Sequence, residues 1–168
     1  YRDYWTSYHE LMSRRGVSTD LAKAILRTNT TAIGAVMVHR GEADSLICGT
    51  FGEYHWHLKY AEQILGNERL RPKGALSLLI LEDGPLFIGD TQVWTEPTPQ
   101  QIANTAIGAA RHVRRFGVEP KTALCAQSQF GNLDGGTGER MREAIKILDS
   151  SKRNFVYEGE MNIDTALD

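Results

Sequence analysis

Two glycine-rich turns bring together residue types that can meet an anion. One is Cys48-Gly49-Thr50-Phe51-Gly52, which follows the short apolar run Ser45-Leu46-Ile47-Cys48. The other is Ser128-Gln129-Phe130-Gly131-Asn132-Leu133-Asp134-Gly135-Gly136-Thr137-Gly138, which follows an apolar run at 122–126 and opens a helix. In open α/β sheets, ligands sit outside the carboxyl ends of strands, and a helix N-terminus favours negative charge. Glycines at these places let a ligand approach the backbone. The second turn lacks the Gly-Lys-Ser/Thr ending of a triphosphate loop and the spacing of a dinucleotide fingerprint. Two readings therefore stand for it, a flexible turn and a phosphate-binding loop.

Other chemistry-bearing residues make weaker patterns. His55 and His57 flank Trp56, but side chains at i and i+2 diverge on a helix and converge only on a strand. No acidic or cysteine cluster completes a coordination set, so no metal site is expected. His9, His39 and His112 stand singly on predicted helices and read as surface or partner-facing residues. Arg111, Arg114 and Arg115 read as a solvated basic helix face, with a small anionic ligand as the alternative. Glu158, Glu160 and Asp164 group three carboxylates with no base or metal partner beside them. Cys48 and Cys125 lie in apolar runs and read as reduced, buried thiols. No Ser-His-Asp order can be defended.

The elements that must carry these residues follow from periodicity. Tyr4, Tyr8 and Leu11 recur at helical spacing before Arg14-Arg15-Gly16, a C-terminal signature. Ser18 can cap a second helix carrying Leu21, Ala24 and Ile25. Ile33, Val36 and Met37 mark a third, ending at Arg40-Gly41, although Val36-Met37-Val38 also passes for a strand. Residues 45–48 read as a buried strand. Tyr54, Leu58, Ala61 and Leu65 return as an amphipathic helix closed by Gly66. The charged stretch 67–73 reads as an exposed loop. Apolar runs at 75–81 and 86–89, flanking Glu82-Asp83-Gly84-Pro85, predict a hairpin.

Thr98-Pro99-Gln100-Gln101 has the form of a capping box with proline at the first helical position. Ile102, Ala106, Ala110 and Val113 continue that helix to Gly117. A strand at 122–126, the loop at 127–138, a helix carrying Met141, Ile145 and Leu148, and a strand at 154–157 complete the pattern. Strands alternating with helices predict the α/β class, a three-layer α/β/α arrangement around a mixed, mostly parallel sheet.

Composition narrows the function classes. The 168 residues include 41% hydrophobic and 24% charged residues, with a net charge of −2, an ordinary mixture for a soluble domain. No broad cationic surface follows, so neither nucleic acid nor an anionic membrane is an expected partner. The longest mainly apolar run, 75–81, is far too short to cross a bilayer. The sequence opens on Tyr1 without an initiator Met and reads as an excised piece.

Several blocks, in order along nearly the whole chain, resemble the phosphate acetyl/butyryl transferase family. They are Ala32-Ile33-Gly34-Ala35-Val36-Met37-Val38, Arg40-Gly41-Glu42-Ala43-Asp44, Ile47-Cys48-Gly49-Thr50, Phe116-Gly117-Val118-Glu119-Pro120, Glu158-Gly159-Glu160-Met161 and Asp164-Thr165-Ala166-Leu167. Further blocks are most similar to the family's branch in the C-terminal part of bifunctional NADP-dependent malic enzymes. These are Tyr4-Trp5, Arg14-Arg15-Gly16-Val17, Phe51-Gly52-Glu53-Tyr54-His55 and Ser128-Gln129-Phe130-Gly131.

The resemblance implies one subdomain of a two-subdomain phosphotransacetylase fold at 31–168, preceded by connecting helices at 1–30, with coenzyme A bound in a cleft. The family's principal Ser/Arg/Asp block would begin beyond Asp168, so no catalytic residue is expected within the chain. Active members carry Ser-x-x-Gly-Ser, where this sequence has Ser128-Gln129-Phe130-Gly131-Asn132; Phe130 and Asn132 point away from transacetylase activity. What is implied instead is an oligomerising, acetyl-CoA-sensing module of a cytoplasmic malic enzyme. The malic-enzyme domain of the same chain would handle malate, NADP and a divalent metal, Mg or Mn. Acetyl-CoA or a related CoA thioester and a second copy are the implied partners. Ser128, Gly131 and Asn132 are the residues expected to line the ligand cleft, with Gly49, Thr50 and Asp164 opposite. Alternatives are a subdomain of an active phosphate acyltransferase, joining acetyl phosphate and CoA, and a purely structural dimerisation domain.

Overall fold

A computed structural model describes residues 1–66, 74–150 and 153–167. The chain divides into two units, Tyr1–Pro72 and Lys73–Asp168. The charged stretch expected as a loop at 67–73 lies outside the described residues.

The first unit is built from helices. Helix α1 spans Arg2–Met12, and one 3-10 turn over Ser13–Arg15 leads to Gly16, whose φ of 85° takes the left-handed turn expected of a terminating glycine. Helix α2, Thr19–Thr28, starts where expected, with Ser18 Oγ accepting from Leu21 N–H at 3.3 Å. Asn29 then does two jobs. Its N–H closes α2 on Ile25 O, and its Oδ1 accepts from Ala32 N–H at 2.9 Å to open α3, Thr30–His39. Val36 to Val38 are helical. Helix α4 runs over Tyr54–Leu65 and stops at Gly66.

The core of this unit gathers Tyr8, Met12, Ala22, Leu26, Ala32, Ala35, Val36 and Ile64. Helix α2 thus buries Ala22 and Leu26, one residue out of phase with the expected stripe, and Leu21 is 48% exposed. Apolar residues occupy both phases, so the neighbouring helices decide which one is buried. Residues 45–48 also depart from expectation. They form no strand, Ile47 is 97% exposed and the Cys48 thiol is exposed. Among the described residues no strand runs beside them to take their backbone hydrogen bonds. The segment is held instead by Leu46, whose Cδ1 would lie 2.6 Å from a Cβ on Gly34.

In the second unit, β1 (Leu76–Leu81) and β2 (Gly84–Gly89) form the expected antiparallel hairpin. Its turn is Glu82-Asp83, since Gly84 already pairs with Leu81. Helix α5, Pro99–Arg115, carries the expected capping box: Gln101 N–H donates to Thr98 Oγ1 at 3.3 Å and Thr98 N–H to Gln101 Oε1 at 2.8 Å. Strand β3, Lys121–Cys125, connects through α6, Gly136–Ser150, to the parallel strand β4, Val156–Met161. A short helix α7, Ile163–Leu167, follows. The α/β class holds, with pairing among the described residues confined to two two-stranded sheets, one antiparallel and one parallel. Ala103, Ala106 and Ala110 of α5 share a core with Leu124, Ala144, Leu148 and Phe155. Among the described residues no helix is long and apolar enough to cross a membrane.

Strand β4 is longer than expected and irregular where it matters. Leu124 pairs with Gly159 and Cys125 with Met161, so Glu160 is an extra residue on β4. Strict alternation would turn Glu160 to the same exposed side as Val156 and Glu158. The bulge breaks that alternation, and Glu160 and Met161 are buried in succession. Gly159 permits it. Its φ is +146°, and a Cβ there would lie 2.6 Å from Leu124 O.

Candidate functional site

Glu160 is wholly buried, and one of its oxygens gathers donors from two other elements. Oε1 accepts from Ser128 Oγ at 2.7 Å, from Gly131 N–H at 3.0 Å and from Arg142 Nη1 at 2.7 Å. Burial pushes the carboxyl pKa up, but the Ser128 hydroxyl, the backbone N–H groups of Gly131 and Glu160 itself, and the Arg142 charge outweigh it. The carboxyl is held below the ordinary glutamate range. Its other oxygen, Oε2, is buried and has no hydrogen-bond partner.

Each donor is placed by local structure. Arg142 lies in the second turn of α6, and its guanidinium reaches back along the helix, where Nη2 also lies 3.4 Å from Leu133 O. Gly138, on the first turn, is there because nothing larger fits. A Cβ at this position would lie 2.0 Å from Ser128 Oγ and 3.3 Å from Glu160 Oε1. The loop between β3 and α6 folds on itself: Asn132 Oδ1 accepts from Gln129 N–H at 2.8 Å, and Asn132 N–H returns to Gln129 O at 3.0 Å. At its tip, Phe130 and Gly131 both take positive φ, 45° and 85°. Phe130 N–H donates to Glu160 O at 2.9 Å. Gln129 Nε2 donates to Thr165 Oγ1 at 2.6 Å, tying the loop to α7. The Asn162 amide, with Nδ2 turned toward the carbonyls, donates to Ala126 O at 3.0 Å and Gln127 O at 3.2 Å.

Of the residues expected to line a cleft, Ser128 and Gly131 meet on Glu160, and Asn132 closes the turn beside them. Asp164 is exposed on α7, next to the Thr165 that holds Gln129. Gly49 and Thr50 belong to the first unit, in an exposed irregular segment where Gly49 has φ 102°. Close by in sequence, Phe51 O accepts from His57 Nε2 at 2.6 Å, and Thr31 Oγ1 lies 2.7 Å from His57 Nδ1. A carbonyl only accepts, so Nε2 carries a proton, and in the neutral imidazole Nδ1 accepts from the Thr31 hydroxyl. His57 is thus a buried pin for the segment around Phe51, while His55 is exposed, the divergence expected of i and i+2 on α4.

Arg114 is engaged within its own unit. It bonds Glu119 Oε1 at 2.7 Å and Asn154 O at 2.5 Å, which joins the end of α5 to the entry of β4. Cys125 is half-buried, and burial pushes its thiol pKa up. Among the described residues no three His, Cys, Asp or Glu side chains converge as metal ligands.

The sequence pattern marks Glu160 but gives it no partner, does not mark Arg142, and presents Gly138 only as one of the glycines of the loop. The missing information was the bulge, because alternation alone puts Glu160 outside. One signal was present: a buried-loop serine, a glycine on the next helix turn and a Gly-Glu pair on the neighbouring strand. Chemically, the arrangement is a loop clamped from beneath. Ser128 turns its proton inward, and the carboxylate that receives it is ion-paired, so neither is poised to activate a thiol.

The whole chain, residues 1–168, matches the family described as phosphate acetyl/butaryl transferase. It is 42% identical to an NADP-dependent malic enzyme of Salmonella typhimurium, over 99% of this chain and 22% of that protein. It is 30% identical to a phosphate acetyltransferase of Synechocystis, over 98% of this chain and 24% of that protein. The chain therefore spans about a fifth to a quarter of the length of these curated relatives. A phosphotransacetylase from Streptococcus pyogenes superposes with a TM-score of 0.83 at 23% identity, over 99% of this chain and 52% of that one, and shares its fold. On this evidence the chain belongs to the phosphate acetyl/butaryl transferase family.

Proposed function

We propose that this chain is part of the phosphotransacetylase-like region of a cytoplasmic NADP-dependent malic enzyme, where it contributes to oligomerisation and to sensing acetyl-CoA, without transacetylase activity. The observation that carries this reading is the direction of the Ser128 hydroxyl. It donates into a buried, ion-paired Glu160. Acetyl transfer from acetyl phosphate needs a thiol deprotonated and a tetrahedral oxyanion met by free donors. Here the Ser128 hydroxyl and the Gly131 N–H are spent on holding the loop. The 42% identity to the Salmonella typhimurium malic enzyme, against 30% to the Synechocystis phosphate acetyltransferase, supports a malic-enzyme parent, although one malic enzyme of Rhizobium meliloti is also 30% identical.

In this reading the loop carrying Ser128, Gly131 and Asn132 meets the CoA thioester, with Asp164, in the same unit, as the further contact. The N-terminus of α6 offers the positive potential that an anionic ligand requires, Arg142 being already paired with Glu160. No residue of the chain is assigned to NADP or to the divalent metal. Sensing requires acetyl-CoA to bind two quaternary states with different affinity, since equal binding shifts nothing. The 30% identity to a phosphate acetyltransferase favours one alternative, a working acyltransferase subdomain. Incubating the full-length protein with acetyl phosphate and CoA separates the two: no acetyl-CoA formed is the expected result, and measurable turnover would sink the sensing-only reading.

A further inference from the structure

We infer that Glu160 is the positioning residue of the loop at 127–135: a single buried carboxylate oxygen, gathered by Ser128, Gly131 and Arg142, sets the shape in which that loop meets a CoA thioester. The inference rests on the reading that this loop meets the ligand.

Glu160 holds the loop twice, once through its side chain and once through its own carbonyl, which accepts from Phe130 N–H at 2.9 Å. The two attachments fall on the N–H groups of the left-handed pair Phe130 and Gly131 themselves. A phenylalanine in that region is a costly conformation that persists only where its surroundings enforce it. The surroundings are specific. A bulge on β4 turns Glu160 inward, Gly138 leaves room for Ser128 against it, and Arg142 crosses from α6 to neutralise it. These features lie on β4 and α6 and serve one oxygen, and the loop they fix carries the residues assigned to the ligand. Glu158, two residues earlier on the same strand, is exposed.

The test uses the full-length protein with Glu160→Gln, and with Glu158→Gln as the control. Hydrogen exchange reads peptide by peptide, and calorimetry reads acetyl-CoA binding. The amide keeps the size of the carboxylate but accepts weaker bonds. Exchange at 127–135 and the dissociation constant for acetyl-CoA should therefore each rise about tenfold, the order expected when a charge-assisted bond becomes a neutral one. Protection at 144–148 of α6 should hold, and Glu158→Gln should change neither readout.

Wild-type loop exchange and affinity in Glu160→Gln would overturn the inference. So would loss of protection spread over β3, β4 and α6, the mark of a residue that only stabilises the fold. A loosened loop with unchanged affinity would overturn it as well. Should Glu160→Gln fail to fold, Ser128→Ala removes one donor while leaving the carboxylate and its other partners. It must then show a smaller increase confined to the loop, and no increase overturns the inference. If the wild-type protein gives no binding heat with acetyl-CoA, the assignment of the ligand falls, and the exchange comparison alone decides whether Glu160 positions the loop.

Discussion

Replacing Gly138 by alanine probes the clamp at its tightest point. The added Cβ would lie 2.0 Å from Ser128 Oγ and 3.2 Å from Ser128 Cβ, and Ser128 is only 3% exposed, so the hydroxyl must leave Glu160 or the first turn of α6 must shift. Losing a hydrogen bond to a charged acceptor costs about 1.5–3 kcal/mol. Against this, alanine gains up to about 1 kcal/mol over glycine in a helix, and less in a first turn. The net expectation is a local destabilisation of about 1–2 kcal/mol. The cost should depend on Ser128. In a Ser128→Ala background the clashing oxygen is gone, and the remaining Cβ contact needs only a few tenths of an ångström of relief. Gly138→Ala should then be nearly neutral, a coupling of about 1–2 kcal/mol between the two sites. Local opening free energies of residues 127–135 and 136–150, from hydrogen exchange on the full-length protein in all four combinations, measure this. Costs that add to within about 0.5 kcal/mol would refute the packing argument.

Three further outcomes follow from the same geometry. Because Glu160 is held below the ordinary glutamate range, its contribution to stability is complete above the ordinary pKa of about 4.3 and is lost as pH falls from there toward the lowered value. An acid titration of loop exchange in the wild type against Glu160→Gln should show that extra loss only in the wild type, and identical profiles would contradict it. Phe130→Gly should stabilise the loop by up to about 1 kcal/mol, since Phe130 has φ 45° and is 60% exposed; a loss of protection would show that its ring, not its backbone, matters. Thr98→Ala should cost about 1 kcal/mol at the start of α5, read as faster exchange at Gln101 and Ile102, and unchanged exchange there would discount the capping box.

How far the sequence could be read depended on whether a signal was local. Ser18, Gly16, Gly66, Gly117 and the box at Thr98 and Gln101 act within one turn of chain, and the helices begin and end where those residues place them. The phase of α2 could not be read, because Leu21 and Ile25 compete with Ala22 and Leu26 and only packing against α1 and α3 selects between them. An apolar run alone also misled at 45–48, where burial depends on neighbours that a short segment cannot specify.

The site was legible in part for the same reason. Ser128, Gly131 and Asn132 stand in one continuous loop, and their composition marks them. Glu160 and Arg142 join them only through a register slip between β3 and β4 and the rotation of α6. Those are tertiary facts, set by Gly159 and by the parallel pairing; the Gly159-Glu160 pair and Gly138 are their only trace in the sequence, and neither names Arg142 as the partner.

The proposed sensing role is tested most directly by initial rates of malate oxidation in the full-length protein as acetyl-CoA is raised at fixed malate, NADP and divalent metal. The account requires the rate to fall along a saturable curve, because acetyl-CoA would favour one quaternary state over another. A rate that stays flat up to saturating acetyl-CoA would contradict it.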